Sequence, residues 1–125
     1  APQMVEGMLL VDKFIDQAVV IADQRKYVSA LIVPEFRLLE IWAKEHDVEF
    51  ENREDLCRDK RVYNMIMERI ETLQQRLAQY EQVKCFTLLA HHFSLESGEL
   101  TNTLKLRRSI INKNFKEVID KMYEE

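Results

Sequence analysis

The sequence predicts an α+β fold, in which helices, one of them long and amphipathic, cover a small three-stranded sheet that contains an antiparallel hairpin. Three short apolar runs have the length of strands, and apolar residues recur at helical spacing before, between and after them. The chain of 125 residues has room for one domain. It is 46% apolar and 32% charged, so it can bury a core under a solvated surface. We therefore expect residues 1–125 to form a single domain.

The first third of the chain is predicted to form a helix and two paired strands. Residues 4–16 have weakly helical apolar spacing, which Gly7 interrupts, and they predict a short helix. Continuous apolar runs then occupy residues 18–22 and 27–33, as is typical of strands buried on both faces. The polar residues 23–26 have the length of a hairpin link, so the two strands should pair antiparallel.

Helices are predicted for the middle of the chain. Pro34 should end the second strand because its nitrogen cannot donate to a ladder, and helical spacing follows over residues 36–45. Asn52 is placed to cap a short helix by accepting from a backbone N–H of its first turn. The clearest helical pattern covers residues 60–82, where charged residues surround one apolar stripe (Val62, Ile66, Ile70, Leu73, Leu77 and Tyr80). We expect this helix to lie across the sheet.

A third strand and a closing helix are predicted for the last third of the chain. Residues 85–90 form the third apolar run. A polar stretch over residues 91–103 follows, and Gly98 provides a turn signal within it. Apolar spacing over residues 106–123 predicts a final helix. The five methionines are expected to fill gaps in the core (Met4, Met8, Met65, Met67 and Met122).

Composition argues against several classes of function. The net charge of −4 and pI near 5.5 give no long-range attraction to nucleic acid, so we expect no nucleic-acid partner. No apolar run approaches the roughly 20 residues of a membrane span, and no signal peptide is visible, so a cytoplasmic location is predicted. With only two glycines, the chain cannot form a glycine-rich phosphate-binding loop.

Histidine and cysteine placement predicts no metal site. His91 and His92 are adjacent and would point to opposite faces of an extended chain, while His46 stands at a helix end. Cys57 and Cys85 lie far apart and outside any CxxC motif, so we expect inert thiols with no disulfide framework.

Residues 100–108 are the segment whose composition most indicates chemistry. The stretch LTNTLKLRR places hydroxyls, an amide and three cations after a glycine turn and before a helix. A flexible loop of this kind can present the ammonium of Lys105 to a phosphate or carboxylate oxygen. The alternative is an ordinary loop followed by surface arginines. That alternative has a cost, because each cation near a helix N-terminus opposes the macrodipole by roughly 0.3–1 kcal/mol.

Two segments resemble a known family. They are residues 12–34, which include DQRKYVSALIVP, and residues 93–108, FSLESGELTNTLKLRR. The second resembles that family's last signature, Gly-Glu-Leu-Thr-x-Thr-Leu/Met-Lys. The similarity covers nearly the whole chain in the same order. On these residues the chain resembles the mobile C-terminal domain of long-chain fatty-acid–CoA ligases, which belong to the AMP-forming adenylate superfamily.

The resemblance implies a role for one lysine. Lys105 matches the signature lysine, which would contact ATP phosphate and the acyl carboxylate during adenylation. Gly98, Thr101 and Thr103 match positions that we expect to shape the loop. The superfamily more often has a Ser-Gly pair just before the lysine, whereas Thr103 and Leu104 stand here, as the long-chain branch tends to have.

The resemblance also implies that a large part of the enzyme lies elsewhere. The family's ATP-binding loop, hinge and thioester-forming loop precede the point that matches Ala1, in or next to an N-terminal adenylation domain. We therefore expect this chain to be an inactive C-terminal fragment that binds none of the substrates by itself. The intact enzyme would use a fatty acid, ATP, CoA and magnesium. The sequence leaves open its acyl chain length and any peripheral membrane contact.

A different class of function is the alternative. The chain could be a stand-alone α+β interaction module, in which the helix over residues 60–82 presents its apolar stripe to a partner or to a second copy.

Overall fold

A computed structural model describes residues 1–124 and has the predicted α+β architecture. Within these residues the strands are β1 (Ile15–Ile21), β2 (Val28–Pro34) and β3 (Val83–Leu88). The helices are α1 (Pro2–Leu9), α2 (Phe36–Glu45), α3 (Arg53–Arg58), α4 (Lys60–Leu73), α5 (Arg108–Asn114) and α6 (Lys116–Met122).

The three strands form one mixed sheet with β2 in the centre. β1 and β2 pair antiparallel, with Ala18 opposite Ile32, which confirms the predicted hairpin. β2 and β3 pair parallel, with Ala30 opposite Phe86. A parallel pair needs a long crossover, and α2, α3 and α4 provide it. All seven residues of β2 are buried, as its continuous apolar run predicts.

Helix α4 contributes its apolar stripe to the core of this same chain. The side chains of Val62, Ile66 and Ile70 are all buried. The helix contacts β3, α3 and α1. The stripe that the interaction-module alternative needs is therefore already covered in its first half, and that alternative is not favoured. Within residues 1–124, no helix is both long enough and apolar enough to cross a membrane.

The predicted long helix over residues 60–82 is wrong in its second half, because α4 ends at Leu73. The next side chain, Gln74, is only 4% exposed. Its Oε1 accepts from the backbone N–H of Val83 at 2.8 Å, and its Nε2 donates to the Val83 carbonyl at 3.1 Å. The carboxamide thus pairs with the start of β3 as a strand would, and the chain turns there. Tyr80, which was predicted on the apolar stripe, is 81% exposed.

The predicted helix over residues 4–16 is also too long, because α1 ends at Leu9. Asp12 builds the turn that follows: its Oδ1 accepts from the Phe14 N–H at 2.9 Å, and its Oδ2 pairs with Arg69 at 2.6 Å. The chain then enters β1 at Ile15, three residues before the predicted strand start.

Two further boundaries differ from the prediction. The predicted final helix over residues 106–123 consists of two helices, α5 from Arg108 and α6 from Lys116, which are separated at Phe115. The Phe115 ring packs edge-on against Phe93, with 5.8 Å between the ring centroids. β3 covers residues 83–88 where 85–90 was predicted. Met4 is largely exposed, so it fills no core gap, whereas the other four methionines pack against the core.

The local capping predictions agree better with the structure. Asn52 caps α3 by accepting from the Asp55 N–H at 2.9 Å, as predicted. Pro34 is the last residue of β2 and stands opposite Ile15, at the end of the β1–β2 ladder, where no further pairing needs its nitrogen as a donor.

Candidate functional site

The segment that contains Lys105 is a closed hairpin and not the flexible loop that its composition suggests. We call residues 100–106 the Lys105 hairpin. Leu100 and Leu106 face each other in an antiparallel bridge. The Thr101 N–H donates to the Lys105 carbonyl at 2.9 Å, and the Leu104 N–H donates to the Thr101 carbonyl at 2.8 Å. This is the three-residue hairpin in which a turn is followed by one residue in the left-handed region. Leu104 is that residue, with φ of +62°.

Two threonine hydroxyls complete the turn. The bulged closure leaves the Lys105 N–H without a carbonyl in the hairpin, and Thr101 Oγ1 accepts from it at 3.1 Å. The hydroxyls of Thr101 and Thr103 share a hydrogen bond of 3.1 Å. Both threonine side chains therefore bond to the hairpin itself.

A buried carboxylate holds the base of the hairpin. Glu99 is 6% exposed. It accepts from Ser97 Oγ at 2.7 Å and from Asn114 Nδ2, at the end of α5, at 3.0 Å. Its carbonyl accepts from the Arg107 N–H at 2.8 Å. Gly98, just before it, has a φ of +79°, a conformation that favours glycine.

A charged pair joins the start of α5, just after the hairpin, to α1 at the start of the chain. Arg108 donates through both terminal nitrogens to Glu6, at 2.6 and 2.7 Å. The Glu6 carboxylate also accepts from the Val20 N–H in β1 at 2.8 Å. The hydrogen bonds to Glu6 hold the pKa of the Arg108 guanidinium above its ordinary value. Glu6 therefore offsets part of the cost of placing this cation in the first turn of α5.

The tip of the hairpin projects into solvent. Residues 102–105 are all exposed. In the part of the chain that the structure describes, the Lys105 ammonium has neither an ion-pair nor a hydrogen-bond partner. An unpaired ammonium on a long stem can bond to phosphate or carboxylate oxygens of a ligand held by another surface.

The other candidate groups lie apart from the hairpin. His91 pairs with Glu54 and His92 with Asp16, so the adjacent imidazoles approach different carboxylates. His46 stacks on Trp42 at 4.5 Å. Among residues 1–124, no group of three His, Cys, Asp or Glu side chains is arranged to hold a metal.

Both cysteines are half-buried and free. Burial raises the pKa of the Cys57 thiol to about 11, and burial also raises the pKa of Cys85. Thiols with such pKa values are poor nucleophiles at neutral pH.

Sequence reasoning missed three features of this site. It assigned no role to Glu99, because a glutamate in a polar stretch gives no sign that it is buried. It missed the Glu6–Arg108 pair, whose members are 102 positions apart. It also missed the left-handed conformation of Leu104, since that conformation normally selects glycine or asparagine.

Comparison with known proteins gives relatives that are much longer than this chain. Human long-chain-fatty-acid–CoA ligase 1 is 32% identical over an alignment of 126 positions, which covers 98% of this chain and 18% of the ligase. Peroxisomal long chain acyl-CoA synthetase 7 of Arabidopsis thaliana is 29% identical over 128 residues, which cover all of this chain and 18% of the synthetase. The chain thus spans less than a fifth of the length of these relatives.

Solved structures share the fold. The A-PCP didomain of carboxylic acid reductase from Segniliparus rugosus, in complex with AMP, superposes with a TM-score of 0.78 at 19% identity, over 98% of this chain and 16% of that one. The adenylation domain of the carboxylate reductase from Mycobacterium chelonae gives a TM-score of 0.77 at 22% identity, over 97% of this chain and 17% of that one. The family model described as "AMP-binding enzyme C-terminal domain" matches residues 1–125. The chain belongs to the family of AMP-binding enzyme C-terminal domains.

Proposed function

We propose that this chain is the C-terminal domain of an ATP-dependent long-chain fatty-acid–CoA ligase, and that Lys105 is its adenylation lysine. The observation that carries the proposal is the unpaired Lys105 ammonium at the exposed tip of a hydrogen-bonded hairpin. The tip is exposed to solvent, so a second surface would have to hold the reactants. That surface is the large N-terminal domain of the same protein, consistent with the length of the relatives.

The chemistry assigned to Lys105 is electrostatic. A fatty-acid carboxylate oxygen attacks the α-phosphorus of ATP, the bond to the β-phosphate breaks, and pyrophosphate leaves to give an acyl-adenylate. Negative charge is redistributed over the phosphate and carboxylate oxygens in this step. A positioned ammonium stabilises that transition state more than the ground state. In the second step the thiol of CoA attacks the acyl carbonyl, and AMP leaves.

The remaining groups of the hairpin have a shaping role in this proposal. Thr101 and Thr103 hold the turn, and Gly98 allows the chain to reach the buried Glu99. The family implies magnesium with ATP, but residues 1–124 supply no cluster of metal ligands, so we assign this domain no step through the metal. The cytoplasmic location and any peripheral membrane contact stay predictions, as does the lack of binding by the isolated domain.

The proposal is tested in the full-length protein with the Lys105→Ala variant. Fatty-acid-dependent exchange of pyrophosphate into ATP reports adenylation, and thioester formation from added acyl-adenylate reports the second step. We expect the exchange rate to fall by about 10²–10³-fold, as for the loss of one preorganised electrostatic group. Thioester formation should be retained.

A matched control separates this role from a general loss of positive charge. Lys113→Ala removes another exposed lysine, in α5, and should leave both rates unchanged. Undiminished pyrophosphate exchange in Lys105→Ala would refute the proposed role.

A further inference from the structure

Leu104 has a backbone conformation that disfavours leucine. Its φ of +62° lies in the left-handed region, where the β-carbon of an L-residue crowds the following carbonyl. The hairpin closure requires a residue of this conformation just before Lys105, because the Leu104 N–H must reach the Thr101 carbonyl while Thr101 pairs with Lys105. Glycine or asparagine would meet that requirement at lower cost.

The Leu104 side chain also gives this domain little packing energy. It is 70% exposed and belongs neither to the hydrophobic core nor to the apolar side chains packed around that core. Apolar surface that stays in water contributes no hydrophobic stabilisation. The backbone of Leu104 therefore costs the domain free energy, and its side chain offsets little of that cost.

The position of this side chain is fixed by the rest of the hairpin. The bridge between Leu100 and Leu106 and the bonds of Thr101 hold the tip from both sides. Glu99 in turn joins the base to Asn114. An apolar group is thus held at the tip, next in sequence to the unpaired ammonium. Local strain of this kind is retained where a function outside the local fold requires it.

We infer that Leu104 is a positioning residue, whose side chain packs against an apolar wall of the adenylation domain when Lys105 enters the active site. This inference rests on the proposed function. Burial of the leucine would supply binding energy at the tip that a charged group alone lacks. It would also fix the direction of the neighbouring lysine, and a misplacement of about 1 Å is enough to slow a reaction strongly.

The test uses three variants of the full-length protein. Leu104→Asn and Leu104→Gly remove the apolar side chain and suit the left-handed conformation, while Leu104→Met retains an apolar side chain. We expect the first two to lower pyrophosphate exchange by about tenfold, with an unchanged or raised thermal midpoint. Leu104→Met should stay within about twofold of the unmodified protein. All three should retain thioester formation from added acyl-adenylate. A purely structural role would lower activity and stability together.

The control is Leu95→Asn, the same change at another exposed leucine, in the turn before Gly98. It should leave exchange unchanged. Exchange within twofold of normal in both Leu104→Asn and Leu104→Gly would overturn the inference, and so would an equal loss in Leu95→Asn. If Lys105→Ala still abolishes exchange in that case, the proposed function stands without it. If Lys105→Ala leaves exchange intact, the proposed function itself has failed.

Discussion

Replacement of Gln74 measures how much one buried carboxamide contributes to this fold. In Gln74→Ala the N–H and the carbonyl of Val83 both lose their partner, and Val83 is buried. Each hydrogen bond contributes about 1 kcal/mol net, and a buried group left unsatisfied costs about 1–3 kcal/mol. We therefore expect Gln74→Ala to lower the free energy of unfolding by about 2–4 kcal/mol. That loss is a large part of the free energy of unfolding of a typical domain, which is about 5–15 kcal/mol.

Gln74→Glu adds a pH-dependent test. An ionised carboxylate would still accept from the Val83 N–H, but its second oxygen would face the Val83 carbonyl. Burial and this repulsion raise the pKa of the new carboxyl in the folded state above its unfolded value of about 4.3. Such a group stabilises the fold at pH values below the unfolded pKa, and that stability is lost as the pH rises through the folded pKa. The free energy of unfolding of Gln74→Glu should therefore fall below that of the unmodified protein by less at pH 4 than at pH 8.

Urea unfolding, followed by circular dichroism at both pH values, gives these free energies. Gln75→Ala is the control, because its side chain is exposed and adjacent. Two results would refute the reasoning: a loss in Gln74→Ala within about 0.5 kcal/mol of that in Gln75→Ala, or the same deficit in Gln74→Glu at pH 4 and pH 8.

Three smaller predictions concern the backbone, a charged pair and a thiol. Gly98→Ala should lower the free energy of unfolding by about 1 kcal/mol, because the φ of Gly98 is positive. Gly7→Ala, on an exposed face of α1, should raise it by about 0.5–1 kcal/mol, and urea unfolding measures both changes. Arg108→Met should cost about 2 kcal/mol by urea unfolding at pH 7, and adding Glu6→Gln should recover part of it. Cys57 should be labelled slowly by a thiol reagent at pH 8 and faster above pH 10, as peptide mass spectrometry would show.

Local pattern predicted the strands well and the helix ends poorly. The β1–β2 hairpin could be predicted because both faces of these strands are largely buried, so a continuous apolar run indicates each strand. The end of α4 could not, because Leu77 and Tyr80 continue the helical spacing beyond Gln74. A periodicity over one segment cannot show that a glutamine side chain will bond to a strand nine residues later.

The candidate site, too, could be predicted from the sequence only in part. Lys105 could be proposed as a site residue because residues 98–105 resemble the last signature of the family, and that resemblance is visible in the sequence. The hairpin that presents it could not be predicted, since its turn uses a left-handed leucine where a sequence reader expects glycine. Glu6 could not be paired with Arg108 for a different reason: the contact depends on how α1, β1 and α5 meet in three dimensions.

The bonds of Glu6 have a mechanical consequence. One carboxylate joins α1 to β1 through Val20 and to the start of α5 through Arg108. Glu99 joins the base of the hairpin to the other end of α5. A rotation of the domain as a unit would therefore carry the hairpin along with α1, β1 and α5, because these hydrogen bonds join all of them. In such a rotation the displacement of the lysine ammonium would be set by the angle of rotation and by the distance of Lys105 from the rotation axis.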